Sequence, residues 1–321
     1  MKYRTLGRTG FRVSEVSLGT WALGSPVYGS VGAGDARRAI RGALDAGINF
    51  FDTAPLYGTP EEDGIAEKVL GQALGADRDR VALATKFGRY PTRGHQNTFF
   101  HAAGVTQSVE DSLRRLGTDR LDVLFFHSPQ SRDQIHDDIW AALANLKQSG
   151  KVRFVGHSIS WFAETQQAAR DWAAERKIDV IQVVYSLMNR ETEPLIRDLG
   201  AAGIGVVARE SLANGFLGGT FTKDIVFPAG SLNARYPREE IAERVATAEC
   251  YKALLVRRDI GSLAQAAMRW VLDQPQVSLV LAGSRRLEEI LDCAAASDAA
   301  PFTAAELTQA RALHVREFSP A

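Results

Sequence analysis

The sequence predicts an α/β fold, a (β/α)8 TIM barrel with an N-terminal β-hairpin and a long loop after strand 7. Eight short runs with strand character alternate with runs of helical character, and most of the strand runs are apolar at nearly every position. Such strands are typical of a parallel sheet covered on both faces. Because the connections are short, a closed barrel is favoured over its main rival, a doubly wound sheet. No linker divides the chain, so we expect residues 1–321 to form one domain.

Turn and capping residues separate the predicted elements. Residues 3–16 alternate around Gly7 and Gly10, as expected for a small hairpin. The eight barrel strands are predicted at residues 16–20, 48–53, 80–86, 121–127, 152–158, 180–186, 204–209 and 277–282. The helices are predicted at residues 36–44, 61–74, 105–116, 137–148, 161–176, 193–199 and 303–316. The long loop after strand 7 is the segment 213–238, and long loops of this kind are often functional lids.

The composition narrows the class of partner. Lys and Arg total 38, equal to Asp and Glu at 38, so no overall field attracts nucleic acid or an anionic membrane. Cys250 and Cys293 belong to no CxxC or Cys/His cluster, which argues against a disulfide framework and a metal site. The N-terminus lacks the apolar core of a signal peptide, and no window of 18 residues is apolar throughout. We expect a cytoplasmic protein with a small-molecule substrate, and nothing in the sequence predicts its oligomeric state.

Ionisable residues fall at the ends of three consecutive predicted strands. Asp52 ends the second strand, Lys86 the third and His127 the fourth, and Tyr57 lies in the loop after Asp52. In a barrel the chemistry is found at the C-terminal ends of the strands. Each residue alone has an ordinary structural explanation, as a cap, a surface lysine, a core histidine or a turn residue. Four of them converging at one rim favour a catalytic site.

This set of residues suits proton donation to a carbonyl oxygen. A free tyrosine has a pKa of about 10, and we expect the Lys86 ammonium to lower the pKa of Tyr57 while Asp52 holds the lysine. His127 could orient a carbonyl or relay a proton. The set supplies an acid but no electrons, so reduction requires a hydride donor. A Schiff base on Lys86, as in an aldolase, is the alternative.

The sequence contains one apparent dinucleotide-binding fingerprint, and its context is wrong. Residues 203–208 read GIGVVA, but the glycines precede the apolar run instead of following a strand and opening a helix. We therefore interpret this segment as a turn from a helix into a strand. A nicotinamide cofactor, if bound, would not use a Rossmann-type site.

Six motifs make the sequence resemble the aldo-keto reductases over nearly the whole chain. They are LGTWALG (18–24), GINFFDTAPLYG (47–58), ATKFG (84–88), RLDVLFFHSP (120–129), GKVRFVGHS (150–158) and AQAAMRWVL (264–272). Members of that family are (β/α)8 enzymes that bind NADPH without a Rossmann domain. The resemblance implies a catalytic tetrad of Asp52, Tyr57, Lys86 and His127, with Tyr57 as the general acid for reduction or the base for oxidation.

The resemblance also implies a cofactor site across the barrel mouth. Ser158 and Gln182 would bond the carboxamide, Arg209 would stack in place of an aromatic residue, and the loop after strand 7 would cover the pyrophosphate. The residues that the resemblance assigns to the cofactor are Gly19, Thr20, Trp21, Asp52, Ser158, Gln182, Arg209, Ser211, Leu212, Asn214, Gly215, Gly283, Ser284, Arg285 and Glu289.

Three positions depart from the family pattern. Ile159 stands where asparagine is usual, Cys293 where many members carry an adenine-binding asparagine, and Glu289 where many carry Arg or Gln. Ser284 and Arg285 match residues that hold the 2′-phosphate of NADPH. A carboxylate at Glu289 repels that phosphate and can accept a hydrogen bond from a 2′-hydroxyl. We expect NADPH (NADP+) as the cofactor, with NADH as the alternative.

The resemblance predicts an NAD(P)H-dependent oxidoreductase that interconverts an aldehyde or ketone and its alcohol. The expected substrate contacts are Trp21, Tyr28, Tyr57, Phe87 and His127, and the substrate is a small carbonyl compound or a sugar. An aldose (sugar lactol) dehydrogenase is one alternative, because the FGRY segment (87–90) is similar to that of aldose-oxidising members. A cofactor-binding regulatory subunit without physiological turnover is another.

Overall fold

The computed structural model describes residues 1–26, 29, 31–94, 99–314 and 316–318, and within them the chain forms a closed barrel surrounded by helices. The strands are β1 (Tyr3–Thr5), β2 (Arg12–Ser14), β3 (Val16–Gly19), β4 (Phe50–Asp52), β5 (Ala82–Phe87), β6 (Leu121–His127), β7 (Val152–Ile159), β8 (Val180–Val184), β9 (Gly205–Arg209) and β10 (Leu279–Ala282). The helices are α1 (Trp21–Gly24), α2 (Ala33–Asp45), α3 (Ile65–Leu74), α4 (Ala102–Leu116), α5 (Ile139–Gln148), α6 (Phe162–Ala174), α7 (Glu193–Ala201), α8 (Arg238–Leu255), α9 (Leu263–Leu272), α10 (Leu287–Ala295) and α11 (Ala304–Ala312).

Eight parallel strands close the barrel in the order β10-β3-β4-β5-β6-β7-β8-β9. This order confirms the predicted (β/α)8 TIM barrel, and the antiparallel pair β1 and β2 confirms the N-terminal hairpin. None of the described helices is both long and apolar enough to cross a bilayer.

The side chains of the barrel strands point alternately into two hydrophobic cores, one inside the barrel and one between the sheet and the helices. Side chains two positions apart share a face of a strand, so Val123 and Phe125 of β6 belong to the cluster inside the barrel. Leu124 and Phe126, between and after them, pack in the larger cluster between the sheet and the helices. The last inward-facing residues of β4, β5 and β6 are Asp52, Lys86 and His127. Three polar side chains therefore lie at the mouth of the barrel.

The hairpin covers the opposite end of the barrel. Gly7 has φ +48°, and a Cβ there would lie 2.2 Å from the backbone nitrogen of Gly205, so only glycine permits this approach. Arg8 N donates to the carbonyl of Gly203 at 2.6 Å, and the buried Leu6 joins the inner core. The hairpin residues therefore fill the bottom of the barrel.

Strand β3 meets β10 next to a buried carboxylate. The backbone oxygen of Glu15 accepts from Val280 N at 2.8 Å. Its side chain accepts from Arg4 Nε at 2.7 Å and from Ser297 Oγ at 3.0 Å. The beginning and the end of the chain are thus joined by hydrogen bonds where the barrel closes.

The long loop after strand 7, which is β9 here, is confirmed and has internal structure. It contains two short 3-10 helices, Ala213–Gly218 and Leu232–Arg235, and it leads into the 18-residue helix α8. The short helix α1 and the helices α8, α9 and α10 had not been predicted. The predicted helix 61–74 begins only at Ile65, because residues 53–64 form a hydrogen-bonded loop.

Candidate active site

Three of the predicted catalytic residues form one hydrogen-bonded group at the barrel mouth. Lys86 Nζ donates to Asp52 Oδ2 at 2.5 Å, to Tyr57 Oη at 2.9 Å and to the carbonyl of Thr53 at 3.0 Å. Lys86 is fully buried and Asp52 is 2% exposed. A buried ion pair with additional hydrogen bonds fixes the position of the lysine, and the lysine in turn fixes the phenol.

The ring of Tyr57 lies between two other predicted residues. Its centroid is 6.0 Å from that of His127, edge to face, and 6.2 Å from that of Trp21, nearly parallel. His127 is 6% exposed. The structure therefore brings together all four residues of the predicted tetrad, with Trp21 beside them.

A tight, hydrogen-bonded loop holds Tyr57 in this position. The backbone nitrogen of Gly64 donates to the carbonyl of Pro55 at 2.7 Å, and the carbonyl of Tyr57 accepts from the nitrogen of Ala66 at 3.0 Å. A Cβ at Gly24 would lie 2.6 Å from that same Tyr57 carbonyl. Glycine at this position of α1 lets the loop pack closely, and the start of α3 holds its far end.

The pKa of the phenol is shifted in the direction opposite to our expectation. Burial raises the pKa of Tyr57 well above its ordinary value, and the negative charge of Asp52 adds to the effect, whereas Arg209 opposes it. Burial also lowers the pKa of Lys86, against the attraction of Asp52. The expected net lowering of the tyrosine pKa is wrong, because burial of the phenol, followed by the negative charge of Asp52, raises it. Tyr57 is a protonated phenol at neutral pH.

A chain of polar side chains connects Asp52 to Arg209. Gln182 Nε2 donates to Asp52 Oδ1 at 2.8 Å, and Ser158 Oγ donates to Gln182 Oε1 at 3.3 Å. Ser158 Oγ lies 3.4 Å from Ser128 Oγ. Ser160 completes the chain, because its hydroxyl donates to Ser128 at 3.0 Å and accepts from Arg209 at 2.6 Å. Of the two predicted carboxamide ligands, Gln182 thus contacts the Asp52 carboxylate directly, and Ser158 contacts Gln182.

A cavity of about 1460 Å³ opens above this group and extends to the start of α10. Most of the residues that the sequence assigned to catalysis, cofactor or substrate line it, and their roles remain predictions. The lining residues from those sets are Gly19, Trp21, Asp52, Tyr57, Lys86, His127, Ser158, Gln182, Arg209, Ser211, Leu212, Asn214, Gly215, Gly283, Ser284, Arg285 and Glu289.

Two residues predicted to contact the substrate or the cofactor do not line the cavity, and a third lies outside the described residues. Phe87 follows Lys86 in β5 and points outward, where it is fully buried against Phe126 at 4.7 Å between ring centroids. It does not line the cavity. Thr20 is also fully buried, and its hydroxyl donates to the carbonyl of Asp52 at 3.0 Å, so it supports the mouth without lining the cavity. Tyr28 lies outside the described residues.

The far end of the cavity carries a carboxylate held by two donors. Glu289 accepts hydrogen bonds from Ser284 Oγ and from Arg286 Nε, the latter at 2.8 Å. Burial alone would raise the pKa of Glu289, but the bonds from Arg286 and Ser284 outweigh it and hold the pKa below its ordinary value. Arg285 extends from the same turn to Gly29, where a Cβ would lie 2.5 Å from its Nη1.

Sequence reasoning did not single out several residues of the cavity. Arg89 and Trp161 line it on the side of Tyr57, and Glu210 forms an ion pair with Arg209. Arg89 belongs to the FGRY segment (87–90), for which the sequence suggested a class of substrate but no role for the arginine. Trp161 stood at the start of a predicted helix, where an aromatic residue carries no special signal.

Comparison with known proteins agrees with this arrangement. A model of the aldo/keto reductase family matches residues 15–314. The chain is 31% identical over 294 residues to the aldo-keto reductase YhdN of Bacillus subtilis (strain 168), covering 89% of this chain and 86% of the relative. It is 32% identical over 303 residues to L-galactose dehydrogenase of Arabidopsis thaliana, covering 92% and 88%. The fold matches the holo form of aldo-keto reductase AKR11C1 from Bacillus halodurans with a TM-score of 0.78 and 27% identity, over 99% and 98% of the two chains.

Proposed function

Because the chain belongs to the aldo/keto reductase family and is an oxidoreductase acting on carbonyl or alcohol groups, we propose that it interconverts an aldehyde or ketone and its alcohol by hydride transfer, with Tyr57 as the general acid or base. The observation that carries this proposal is the hydrogen bond between the Tyr57 hydroxyl and Lys86, which is itself tied to Asp52. The phenol lines the cavity that extends from this group to the start of α10.

The cavity fits the nicotinamide nucleotide that members of this family bind. Ser158 and Gln182 would meet the carboxamide, and Asn214 and Gly215 would meet the pyrophosphate. Gly215 has φ +94° and Asn214 φ +57°, so the backbone turns sharply beside the cavity there. Ser284, Arg285 and the start of α10 would hold the phosphate of the adenosine, since the N-terminus of a helix attracts anions. When bound, the cofactor supplies the hydride.

Tyr57 supplies the proton in the direction of reduction. Its raised pKa keeps the hydroxyl protonated through neutral pH, so it can donate to a carbonyl oxygen that gains negative charge. Lys86 would then stabilise the phenolate through its existing bond of 2.9 Å. His127, whose ring is set edge to face against Tyr57, would orient the carbonyl. In the direction of oxidation, the same tyrosine accepts the proton of the alcohol.

We propose NADPH as the preferred cofactor, with discrimination against NADH weakened by Glu289. Ser284 and Arg286 are bonded to the Glu289 carboxylate, so Ser284 would have to give up this bond in order to hold a 2′-phosphate. The ionised carboxylate also repels a phosphate dianion. A 2′-hydroxyl, by contrast, could donate a hydrogen bond to Glu289, which makes NADH acceptable at this end of the cavity.

The proposal is tested by following the oxidation of NADPH and NADH with a panel of small aldehydes and ketones. We expect Tyr57→Phe to lower kcat by about 100- to 10,000-fold, since it removes the proton donor, while the dissociation constant of the cofactor stays nearly the same. Tyr90→Phe is the matched control, because Tyr90 is equally buried but does not line the cavity. Near-normal turnover by Tyr57→Phe would contradict the catalytic role. Tight cofactor binding without turnover of any substrate would favour a regulatory subunit.

A second candidate is oxidation of the lactol form of a sugar. It is favoured by the similarity to L-galactose dehydrogenase and by the hydroxyl groups of Ser128 and Ser160 on the cavity wall, which could bond sugar hydroxyls. Assays with L-galactose and other aldoses, with NAD+ and NADP+, would decide the matter. Catalytic efficiency with an aldose well above that with every simple carbonyl compound would establish this candidate.

A further inference from the structure

The cavity that Tyr57 lines also contains an arginine that the proposed reaction does not use. Arg89 follows β5 after Gly88, whose φ of +99° turns the chain back across the barrel mouth. Gly88 is required there, because a Cβ would lie 2.0 Å from the ring of Phe100. The guanidinium of Arg89 lies over Trp161, 5.3 Å from the ring centroid, and both side chains line the cavity.

A second guanidinium lies on the same wall. Arg209 donates to Ser160 Oγ at 2.6 Å, and Ser160 is the neighbour of Trp161 in the chain. The two arginines therefore flank the segment 160–161 from both sides. Burial lowers the pKa of Arg89, and the positive charge of Arg209 lowers it further. Glu210 forms an ion pair with Arg209 and offsets part of this repulsion, and an anion bound at Arg89 would offset more of it.

Five carboxylates line the described part of the cavity: Asp52, Glu210, Glu288, Glu289 and Asp292, the last three of which lie in α10 at its far end. Asp52 is bonded to Lys86, and Glu210 to Arg209. At the far end, Glu289 is bonded to Arg286. The remaining surface beside Tyr57 is largely aromatic or apolar, with Trp21, Leu56 and Trp161. The wall thus offers a patch for the organic part of a substrate and a positive charge at its edge.

We propose that Arg89 binds an acidic group of the substrate, so that the preferred substrates are carbonyl compounds bearing a carboxylate or a phosphate. This proposal rests on the proposed carbonyl chemistry at Tyr57. A guanidinium suits the role because its planar fork matches both kinds of oxyanion with two parallel hydrogen bonds. Stacking on Trp161 keeps the fork oriented, and Arg209 adds positive potential without having to touch the anion.

The first test compares matched substrates that differ in charge. The carboxylate arm uses succinic semialdehyde against butanal, and the phosphate arm uses dihydroxyacetone phosphate against dihydroxyacetone. We expect kcat/KM to favour the acidic member of at least one pair, and Arg89→Gln to lower that selectivity about 10- to 100-fold, mainly through KM. Arg89→Lys should restore part of it, because the charge remains. The arm in which Arg89→Gln lowers the selectivity more identifies the acidic group as a carboxylate or a phosphate.

The control for this test is Arg93→Gln. Arg93 lies in the same loop and stacks on Tyr90 and Phe99, at 4.8 and 4.7 Å from their ring centroids, but it does not line the cavity. Its substitution should leave the selectivity within about twofold of the native value. The proposal is overturned if Arg89→Gln leaves the selectivity unchanged in both arms, or if Arg93→Gln lowers it equally.

A binding measurement separates this proposal from the proposed catalytic activity. Calorimetric titration of the protein with bound cofactor compares benzoate with benzamide, neither of which is a substrate. We expect benzoate to bind at least about tenfold more tightly, and Arg89→Gln to abolish the difference. This result would support the anion site even if no carbonyl compound were turned over. Equal binding of the two ligands by the native protein would refute the anion site, whatever the enzyme reduces.

Discussion

The ammonium group of Lys86 has as many oxygen partners as it has hydrogens. An ammonium carries three donors and no acceptor, and these meet Asp52, Tyr57 and the carbonyl of Thr53. Because the side chain is fully buried, loss of one partner would leave a donor uncompensated, at a cost of about 1–3 kcal/mol. The lysine is therefore positioned by the same groups that it is proposed to activate.

Neutralising Glu289 should increase the preference for NADPH over NADH. Glu289→Gln removes the charge that opposes a 2′-phosphate and releases Arg286 from its ion pair. We expect the ratio of kcat/KM for NADPH to that for NADH to rise about tenfold. The measurement is steady-state kinetics with both cofactors and one substrate.

The control for that change is Glu288→Gln, which removes an equal charge one residue earlier in α10. It should alter the cofactor ratio by less than about twofold. A ratio that is unchanged in Glu289→Gln, or that moves towards NADH, would show that the carboxylate does not face the 2′-position.

Residues in strands could be predicted better than residues in loops. Strand geometry alternates the two faces, so Asp52 and Lys86 had to enter the barrel if they ended strands. The same rule directs Phe87 outward, and its expected substrate contact was wrong for that reason. Arg89 lies in a loop, where its direction depends on the positive φ of Gly88. Sequence spacing contains no information about that turn.

At the scale of secondary structure, the loop after β9 is attached to the rest of the protein through a buried arginine. Arg244 of α8 is 1% exposed, and its guanidinium lies 4.2 Å from the ring centroid of Tyr236 and 4.6 Å from that of Phe318. The hydroxyl of Tyr236 accepts from Asn214 Nδ2 at 3.1 Å. The loop beside the proposed pyrophosphate site is thus connected through Arg244 to the C-terminal segment.

Substitution of Arg244 should loosen this loop and weaken cofactor binding. Arg244→Gln removes stacking interactions worth about 2 kcal/mol when desolvated. We expect faster amide hydrogen exchange in residues 213–237 and a roughly tenfold higher dissociation constant for the cofactor. Mass spectrometry and fluorescence titration measure the two effects.

Arg311→Gln is the control, because Arg311 forms an exposed ion pair with Glu193 in another part of the molecule. It should change neither hydrogen exchange in 213–237 nor cofactor affinity. If Arg244→Gln leaves both quantities at their native values, the loop is held by its other contacts alone.

Helix α8 illustrates why this region could not be predicted from periodicity. Its buried face includes Ile241, Val245 and Ala248, but Arg244 occupies the middle of that face. A charged residue in the apolar stripe hides the helical pattern, since such a residue normally marks the solvent side. An ion pair with Glu240, one turn earlier in the helix, and aromatic rings from distant segments make burial of this arginine possible.

At the scale of the whole molecule, barrel closure depends on contacts between the two ends of the chain. Arg4 donates to the carbonyls of Val277 and Leu272 at 2.9 and 2.8 Å, in addition to its bond with Glu15. Glu15 is 5% exposed. One polar cluster therefore holds together the hairpin, the first barrel strand and the segment before the last strand.

Removal of the Glu15 side chain should destabilise the closed barrel. Glu15→Ala leaves Arg4 without its carboxylate and Ser297 without its acceptor. We expect the free energy of unfolding to fall by about 3 kcal/mol, as when one partner of a largely buried ion pair is removed. Urea denaturation followed by circular dichroism measures the change.

The control is Glu175→Ala, which breaks an exposed ion pair with Lys177 and should cost less than about 1 kcal/mol. A comparable loss for both variants would mean that the cluster at the closure point contributes no more than a surface ion pair.

The bond between Ser297 and Glu15 joins positions 282 residues apart, and this separation matters while the chain is still on the ribosome. At about 5–20 residues per second, roughly 15–55 s pass between the emergence of the first barrel strand and that of its closing neighbour. During that time the edge of β3 has no partner, and an unpaired edge can pair with another chain. The nascent protein is therefore expected to need protection by chaperones until β10 emerges, after which no strand edge is exposed in the barrel.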